Sequence, residues 1–408
     1  MKKRSIIPAS ILIAITAALG GCSETKNESI QPNMNIFVSN STDKNPSDSS
    51  SESFSSSGTD KPIAEPEISD TTDDQSSDTS SAEIPPVDIA PPEDKPEVIY
   101  AGNIAIVRTH DMIRAMIFYG ANPKYFKLYA EALNKYKEAL PDVSVYSMVV
   151  PVSCEFYAPP EVAERCASQR DHINIVNENL IGIQAVDAYS ALTEHIGEEI
   201  YLRTDHHWAQ LGGYYAAEAF AKAAGVPFLP LSDYETRVNT GFCGSMLGYS
   251  ENNEILKNNP EDFIYYVPTT VNYTTTYYNY IIEGWDVVGA YNVKQGSFFL
   301  NFGDNKGENY CTFMGGDAKI VHVQTDTKND RRLLIIKDSY GNAVVPNLFG
   351  SFEEIYVTDL RFFSHNMISY IKEHNITDLL FLNNTTIAGS PTMIDNLDTI
   401  RTQRDMGF

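Results

Sequence analysis

Arg332-Leu333-Leu334-Ile335-Ile336-Lys337-Asp338-Ser339-Tyr340-Gly341-Asn342 is the stretch that decides the fold. Four consecutive large apolar residues, with no alternation, read as a strand buried on both faces, as in a parallel sheet. The chain then turns at once through polar residues, and a short helix is expected to open near Asn342. Two further units follow the same grammar. Glu354-Ile355-Tyr356-Val357 is a strand ending at Asp359-Leu360-Arg361, followed by a helix over about 364–375. Asp378-Leu379-Leu380-Phe381-Leu382 is a strand ending at Asn383-Asn384. Three successive strands with polar residues just past their carboxyl ends predict an open α/β sheet with a ligand site along that edge.

Upstream, the same alternation is visible. Ala101–Val107 reads as an opening strand. Asn122–Leu140 reads as a helix with Tyr125, Leu128, Tyr129, Leu133 and Tyr136 on one face, and Val143–Val150 as a buried strand. A helix is expected over about 160–180 and a short strand over 183–186. The pattern breaks over about 228–324, where Tyr265-Tyr266, the run Val271–Tyr280 and Trp285 give a β-rich insertion. The tyrosines Tyr277, Tyr278 and Tyr280 are good strand residues, and an extended row of them is also suited to stacking on sugar rings. About 310 residues, 98–408, are enough for one large domain.

The two ends of the chain differ in kind. Met1-Lys2-Lys3-Arg4 followed by apolar Ile6–Leu19 reads as a targeting segment, and Leu19-Gly20-Gly21-Cys22 resembles a bacterial lipobox. The expectation is a signal peptide over 1–22, lipidation of Cys22, and attachment to the outer face of the cell membrane. Residues 23–97 hold 17 acidic residues against 4 lysines, about half of the whole chain's net charge of −24. So polar and acidic a stretch reads as a disordered stalk, and the acidity argues against nucleic acid as a partner. Cys154, Cys166, Cys243 and Cys311 allow disulfides 154–166 and 243–311, or buried free thiols. No cysteine–histidine spacing of the zinc type occurs, and no metal or cofactor is expected.

The candidate chemistry joins two distant segments. Thr204-Asp205-His206-His207-Trp208 precedes a helix over about 208–224. In an extended segment Asp205 and His207 point to the same side, where the carboxylate can fix the imidazole tautomer and leave its other nitrogen as a base. Asp205 as a helix cap is the plainer alternative. Ser339, at a strand-to-helix turn, is placed as a nucleophile, with its own N–H and those following it as oxyanion donors. Asn383, past the third strand, offers a side-chain donor.

The Asp205-His206-His207-Trp208 motif, with Lys337-Asp338-Ser339-Tyr340, resembles the bacterial DHHW family, similar to the SGNH-hydrolase-like domains of alginate O-acetyltransferases. The resemblance implies a flavodoxin-like three-layer α/β fold with permuted motif order. It also implies Ser339 as nucleophile, His207 as base and Asp205 as its orienting partner. His206, Asp338 and Arg361 are expected beside them; Lys337 stands where glycine would be expected, and His206 replaces a small polar residue. The expected activity is O-acetylation or deacetylation of a polysaccharide, with a glycan acceptor and a membrane-embedded acyl-donor protein as partners. Two other readings stay open: a catalytically inactive carbohydrate-binding lipoprotein, and a metal site built from Asp205, His206, His207 and His365.

Overall fold

The computed structural model describes Lys95–Phe408 apart from Trp285 and residues 303–305. The segments expected as a leader with Cys22 and as a stalk, up to residue 94, and Trp285 lie outside the described residues. Three antiparallel strands come first: β1 (Glu97–Ala101), β2 (Ile104–Arg108) and β3 (Ile113–Ile117). The single opening strand expected over 101–107 is broken because Gly102 sits at φ +59° and reverses the chain, a conformation open to glycine without steric cost. Helix α1 (Pro123–Ala139) starts where Asn122 accepts a hydrogen bond from the Lys124 N–H. Strand β4 (Ser144–Val150), helix α2 (Gln169–Glu178), strand β5 (Gln184–Ala185) and helix α3 (Gln210–Ala224) follow. The helix expected over about 160–180 is interrupted, because Ser168 caps α2 through the Asp171 N–H.

Next come β6 (Tyr234–Phe242), β7 (Glu261–Pro268), β8 (Tyr273–Glu283), β9 (Asp286–Ala290), β10 (Lys294–Gly296) and β11 (Lys319–Thr325). The chain closes with β12 (Arg332–Lys337), β13 (Glu354–Asp359), α4 (Met367–Glu373), β14 (Asp378–Asn384) and α5 (Pro391–Thr402). Strands β13, β12, β14, β4 and β5 lie side by side and parallel. Beyond β13 the same sheet continues antiparallel through β11, β8 and β10. The sheet is therefore mixed rather than wholly parallel. Much of the segment expected as an insertion is its antiparallel wing, and among its described residues β6 and β7 pair apart from that sheet.

The buried strands feed two cores. Along β12, Leu333 and Ile335 enter one core and Leu334 and Ile336 the other, as the two-residue period of a strand requires. Helices α1, α2, α4 and α5 cover one face, through Phe126, Ile173, Ile371 and Leu397 among others. Helix α3 and the turns after β12 cover the opposite face, through Phe220, Val345 and Leu348. Each such side chain taken fully out of water contributes about 1.5–3 kcal/mol. The result is a helix–sheet–helix stack whose parallel strands end together at one edge.

Candidate active site

At that edge β12 ends and Asp338 caps a 3-10 turn over Ser339–Ala343, accepting the Tyr340 N–H at 2.9 Å. Its other oxygen accepts the Asn384 N–H at 2.7 Å, which ties the end of β12 to the end of β14. Burial raises the Asp338 carboxyl, although these two N–H groups oppose it. Ser339, in the first position of the turn, is buried.

The loop before α3 meets this turn. Trp208 is fully buried and its indole N–H donates to the Tyr340 carbonyl at 2.9 Å. Gly213 in α3 packs so closely on the turn that a Cβ there would lie 2.8 Å from the Ala343 oxygen. These two contacts hold the loop against Ser339. His207 Nε2 lies 2.7 Å from Ser339 Oγ, and His207 Nδ1 lies 2.6 Å from Asp205 Oδ1. The same Asp205 oxygen accepts the His207 N–H at 2.9 Å, and Asp205 Oδ2 accepts the Ser245 N–H at 2.8 Å. Burial alone would raise the Asp205 carboxyl, but His207, His206 and these hydrogen bonds outweigh it and hold it well below the usual carboxylate range. The alternative of Asp205 as the cap of α3 does not hold, since α3 starts after Ala209 with no side-chain cap.

Several further residues complete the site, and all but one carried no signal in the sequence. Tyr310 stacks on His207 with ring centres 3.7 Å apart, and its hydroxyl donates to the Ser339 carbonyl at 2.9 Å. Glu261 accepts the N–H groups of Arg203 and Thr204, and Gly244 donates its N–H to Thr204. Ser245 and Gly244 follow β6, and Tyr310 belongs to a 3-10 turn further on, so only the tertiary fold brings them to the loop. A signal existed for Gly244 alone, as a glycine between strand-like segments, which often marks a close approach.

The remaining expected residues divide into two sets. Lys337, standing where glycine was expected, is buried and bridges Asp317 at 2.9 Å and Asp359 at 3.2 Å. Arg361 joins the same pair, 2.8 Å from Asp317 and 2.7 Å from Asp359. A buried cluster of two cations and two carboxylates thus stands behind the turn, bonded to it through Asn342 and Asp317 at 3.1 Å. Asn383, by contrast, is held from both sides: its NH₂ lies 3.4 Å from Asp338 Oδ2 and its carbonyl accepts the Tyr129 hydroxyl at 2.8 Å. The backbone N–H groups of Tyr340 and Gly341 are likewise bonded, to Asp338. The oxyanion donors expected at Asn383 and after Ser339 are thus engaged within the protein.

Ligand atoms of Asp205, His206 and His207 fall within 4.8 Å of one another. In this state both His207 nitrogens and both Asp205 oxygens are occupied by hydrogen bonds. His365, the fourth residue of the metal reading, faces Asp405 instead, at 3.9 Å. Of the tyrosines expected to form a sugar platform, Tyr277 and Tyr280 are buried and only Tyr278 is exposed. Tyr277 and Tyr280, three positions apart on β8, enter opposite cores, so both are strand residues packed into the protein and not one exposed row. Cys154, Cys166 and Cys243 carry free thiols, so neither of the disulfides considered is formed.

The family model for "DHHW protein" matches residues 122–358. Among solved structures, the crystal structure of a DHHW family protein from Eubacterium siraeum is similar at 38% identity, with a TM-score of 0.67, covering 74% of this chain and 97% of that one. Bacillus cereus PatB1, solved with a sulfonyl adduct, shares the fold at 19% identity, with a TM-score of 0.57, over 74% of this chain and 99% of its own. Among curated proteins nothing matches the chain.

Proposed function

The chain belongs to the DHHW protein family, and on that premise we propose that it is a serine acyl-transfer enzyme that moves an acetyl group to or from a polysaccharide. The observation that carries the reading is the unbroken relay from Asp205 through His207 to Ser339, at 2.6 and 2.7 Å. In the proposed cycle Ser339 Oγ attacks the ester carbonyl while its proton passes to His207 Nε2. The imidazolium, stabilised by the Asp205 carboxylate, returns that proton to the departing alkoxide and an acyl-serine remains. A sugar hydroxyl then gives its proton to His207 and attacks the acyl carbon, and as the acyl–serine bond breaks the imidazolium returns that proton to Ser339 Oγ, releasing the acetylated glycan. Water in place of the sugar makes the same cycle a deacetylation.

Transfer is the direction we favour. Ser339 and His207 are each only 2% exposed, and a site closed to water favours a held acceptor over hydrolysis. The resemblance to SGNH-hydrolase-like acetyltransferases points the same way. The lipobox at Cys22 and the acidic stalk support a protein tethered outside the membrane, within reach of a membrane-embedded acyl donor and of polymer. The test is incubation with an activated acetyl ester and a panel of oligosaccharides, read by mass spectrometry. Acetylated sugar formed by the wild type and not by Ser339→Ala is the expected result. Ester loss indifferent to every glycan, with no acetylated product, contradicts transfer and favours an esterase. Absence of any turnover favours the inactive glycan-binding reading.

A further inference from the structure

The serine reading leaves a question about charge: what meets the oxyanion when Ser339 attacks? Ser339's own N–H, in the first position of a helical turn, is of the kind that lacks an intrahelical partner. A second donor is needed, and Tyr340, Gly341 and Asn383 are already bonded to Asp338. His206 is placed differently. It is buried at 6% exposure, its ring lies against that of His207 with centres 3.7 Å apart, and its Nε2 makes no hydrogen bond. A buried polar atom without a partner costs about 1–3 kcal/mol, so its presence calls for a role.

The orientation of the two rings supplies that role. His207 Nδ1 is 2.6 Å from Asp205 Oδ1, and His206 Nδ1 is 3.7 Å from the same atom. Both rings turn Nδ1 toward Asp205, so both turn Nε2 away from it, and on that far side His207 Nε2 meets Ser339 Oγ. His206 also lines a mainly apolar cavity with Tyr340, Phe118, Val152, Met246 and Thr386. Ser245 Oγ accepts the His206 backbone N–H and stands 2.6 Å from Nδ1; with that hydroxyl donating, Nδ1 is the acceptor and the ring proton sits on Nε2. Burial first, and then His207, push the His206 imidazole down to about 3, so the ring is neutral with a single N–H. Resting on the serine reading, we propose that the Nε2–H of His206 is the side-chain oxyanion donor, meeting the carbonyl oxygen of an acyl ester that enters from this cavity.

Two substitutions separate this role from packing. Asn at 206 can reach Ser245 but ends short of the Nε2 position, whereas Gln carries an amide N–H to about that distance. With an aryl acetate, His206→Asn should lower kcat by about 100-fold with KM little changed, the loss typical for one oxyanion donor. His206→Gln should recover to within about tenfold of wild type, and a boronic acid that mimics the tetrahedral state should weaken in step with kcat across the series. Where Asn prevents folding, His206→Phe keeps the ring packing, lacks the donor and should behave as Asn does. Wild-type kcat in a folded Asn or Phe variant overturns the assignment, as does a folded Gln variant as slow as they are. Failure of the underlying reading looks different: wild-type protein that does not turn over the ester, or turnover that survives Ser339→Ala, overturns the serine mechanism and this inference with it.

Discussion

Gly244→Ala is a one-carbon change that reaches the relay without replacing any of its three residues. A Cβ built at Gly244 lies 2.3 Å from Asp205 Oδ2, 2.5 Å from its Cβ and 2.8 Å from its Cγ. Ordinary contact needs about 3.5 Å, so Asp205 or the loop has to move by about 1 Å. Asp205 has little freedom to do so, because its carboxylate is bonded to His207 twice and to Ser245. A displacement of that size in a positioning group costs about 100-fold in rate, and overpacking a closed site costs about 1–3 kcal/mol in stability. The assay is kcat/KM for an aryl acetate beside a thermal melt. Gly248→Ala is the control: it lies in the same segment, and nothing stands within 4 Å of its added carbon. A loss of about 100-fold at Gly244, with Gly248→Ala close to wild type, is expected. Full activity in a folded Gly244→Ala protein would refute the claim that the Asp205 position limits the chemistry.

Four further outcomes are expected. Asp205→Asn should cut turnover by about 10⁴-fold with the fold retained, because the amide either presents N–H to the Ser245 N–H or forces His207 into the wrong tautomer. The same variant should flatten the acid limb of the stability curve: the folded carboxyl lies below its unfolded value, so its contribution is full above about pH 4 and is lost as pH falls toward the folded value; urea melts from pH 3 to 7 measure this. Tyr277→Ala should destabilise by about 3–5 kcal/mol, since its ring is buried and its hydroxyl bonds the Ser297 carbonyl, whereas exposed Tyr278→Ala should leave the melt nearly unchanged. Cys22→Ser should move the full-length protein from the membrane fraction to the soluble fraction, and retention on membranes would contradict lipid anchoring.

The parallel heart of the sheet was legible because a strand buried on both faces leaves a continuous apolar run. Arg332–Lys337 and Asp378–Leu382 are such runs, and each ends at the polar edge it predicted. The relay residues were legible because two lie two positions apart and the third follows a strand. The antiparallel wing was not, because a run rich in tyrosine and threonine such as Tyr273–Glu283 declares itself a strand by composition without naming its partner. Pairing of β8 with β11 joins residues 40 to 52 positions apart, from Asn279 with Lys319 to Tyr273 with Thr325, and nothing local encodes it. The contacts that hold the site together were hidden for the same reason: Ser245, bonded to Asp205, lies 40 positions from it, and Tyr310, bonded to Ser339, lies 29 from it. Lys337 misled in another way. A residue expected to be small is a long buried cation, and the two carboxylates that neutralise it come from the turn before β11, Asp317, and the end of β13, Asp359.

The central claim is that Ser339 carries the acyl group. It is tested most directly by mixing the protein with an aryl acetate, quenching in acid within the first turnovers, and mapping the acetyl group by peptide mass spectrometry. The account predicts acetyl on the peptide containing Ser339, absent after Ser339→Ala and strongly reduced after His207→Ala. Acetyl on another residue, or turnover that persists in Ser339→Ala, would contradict it.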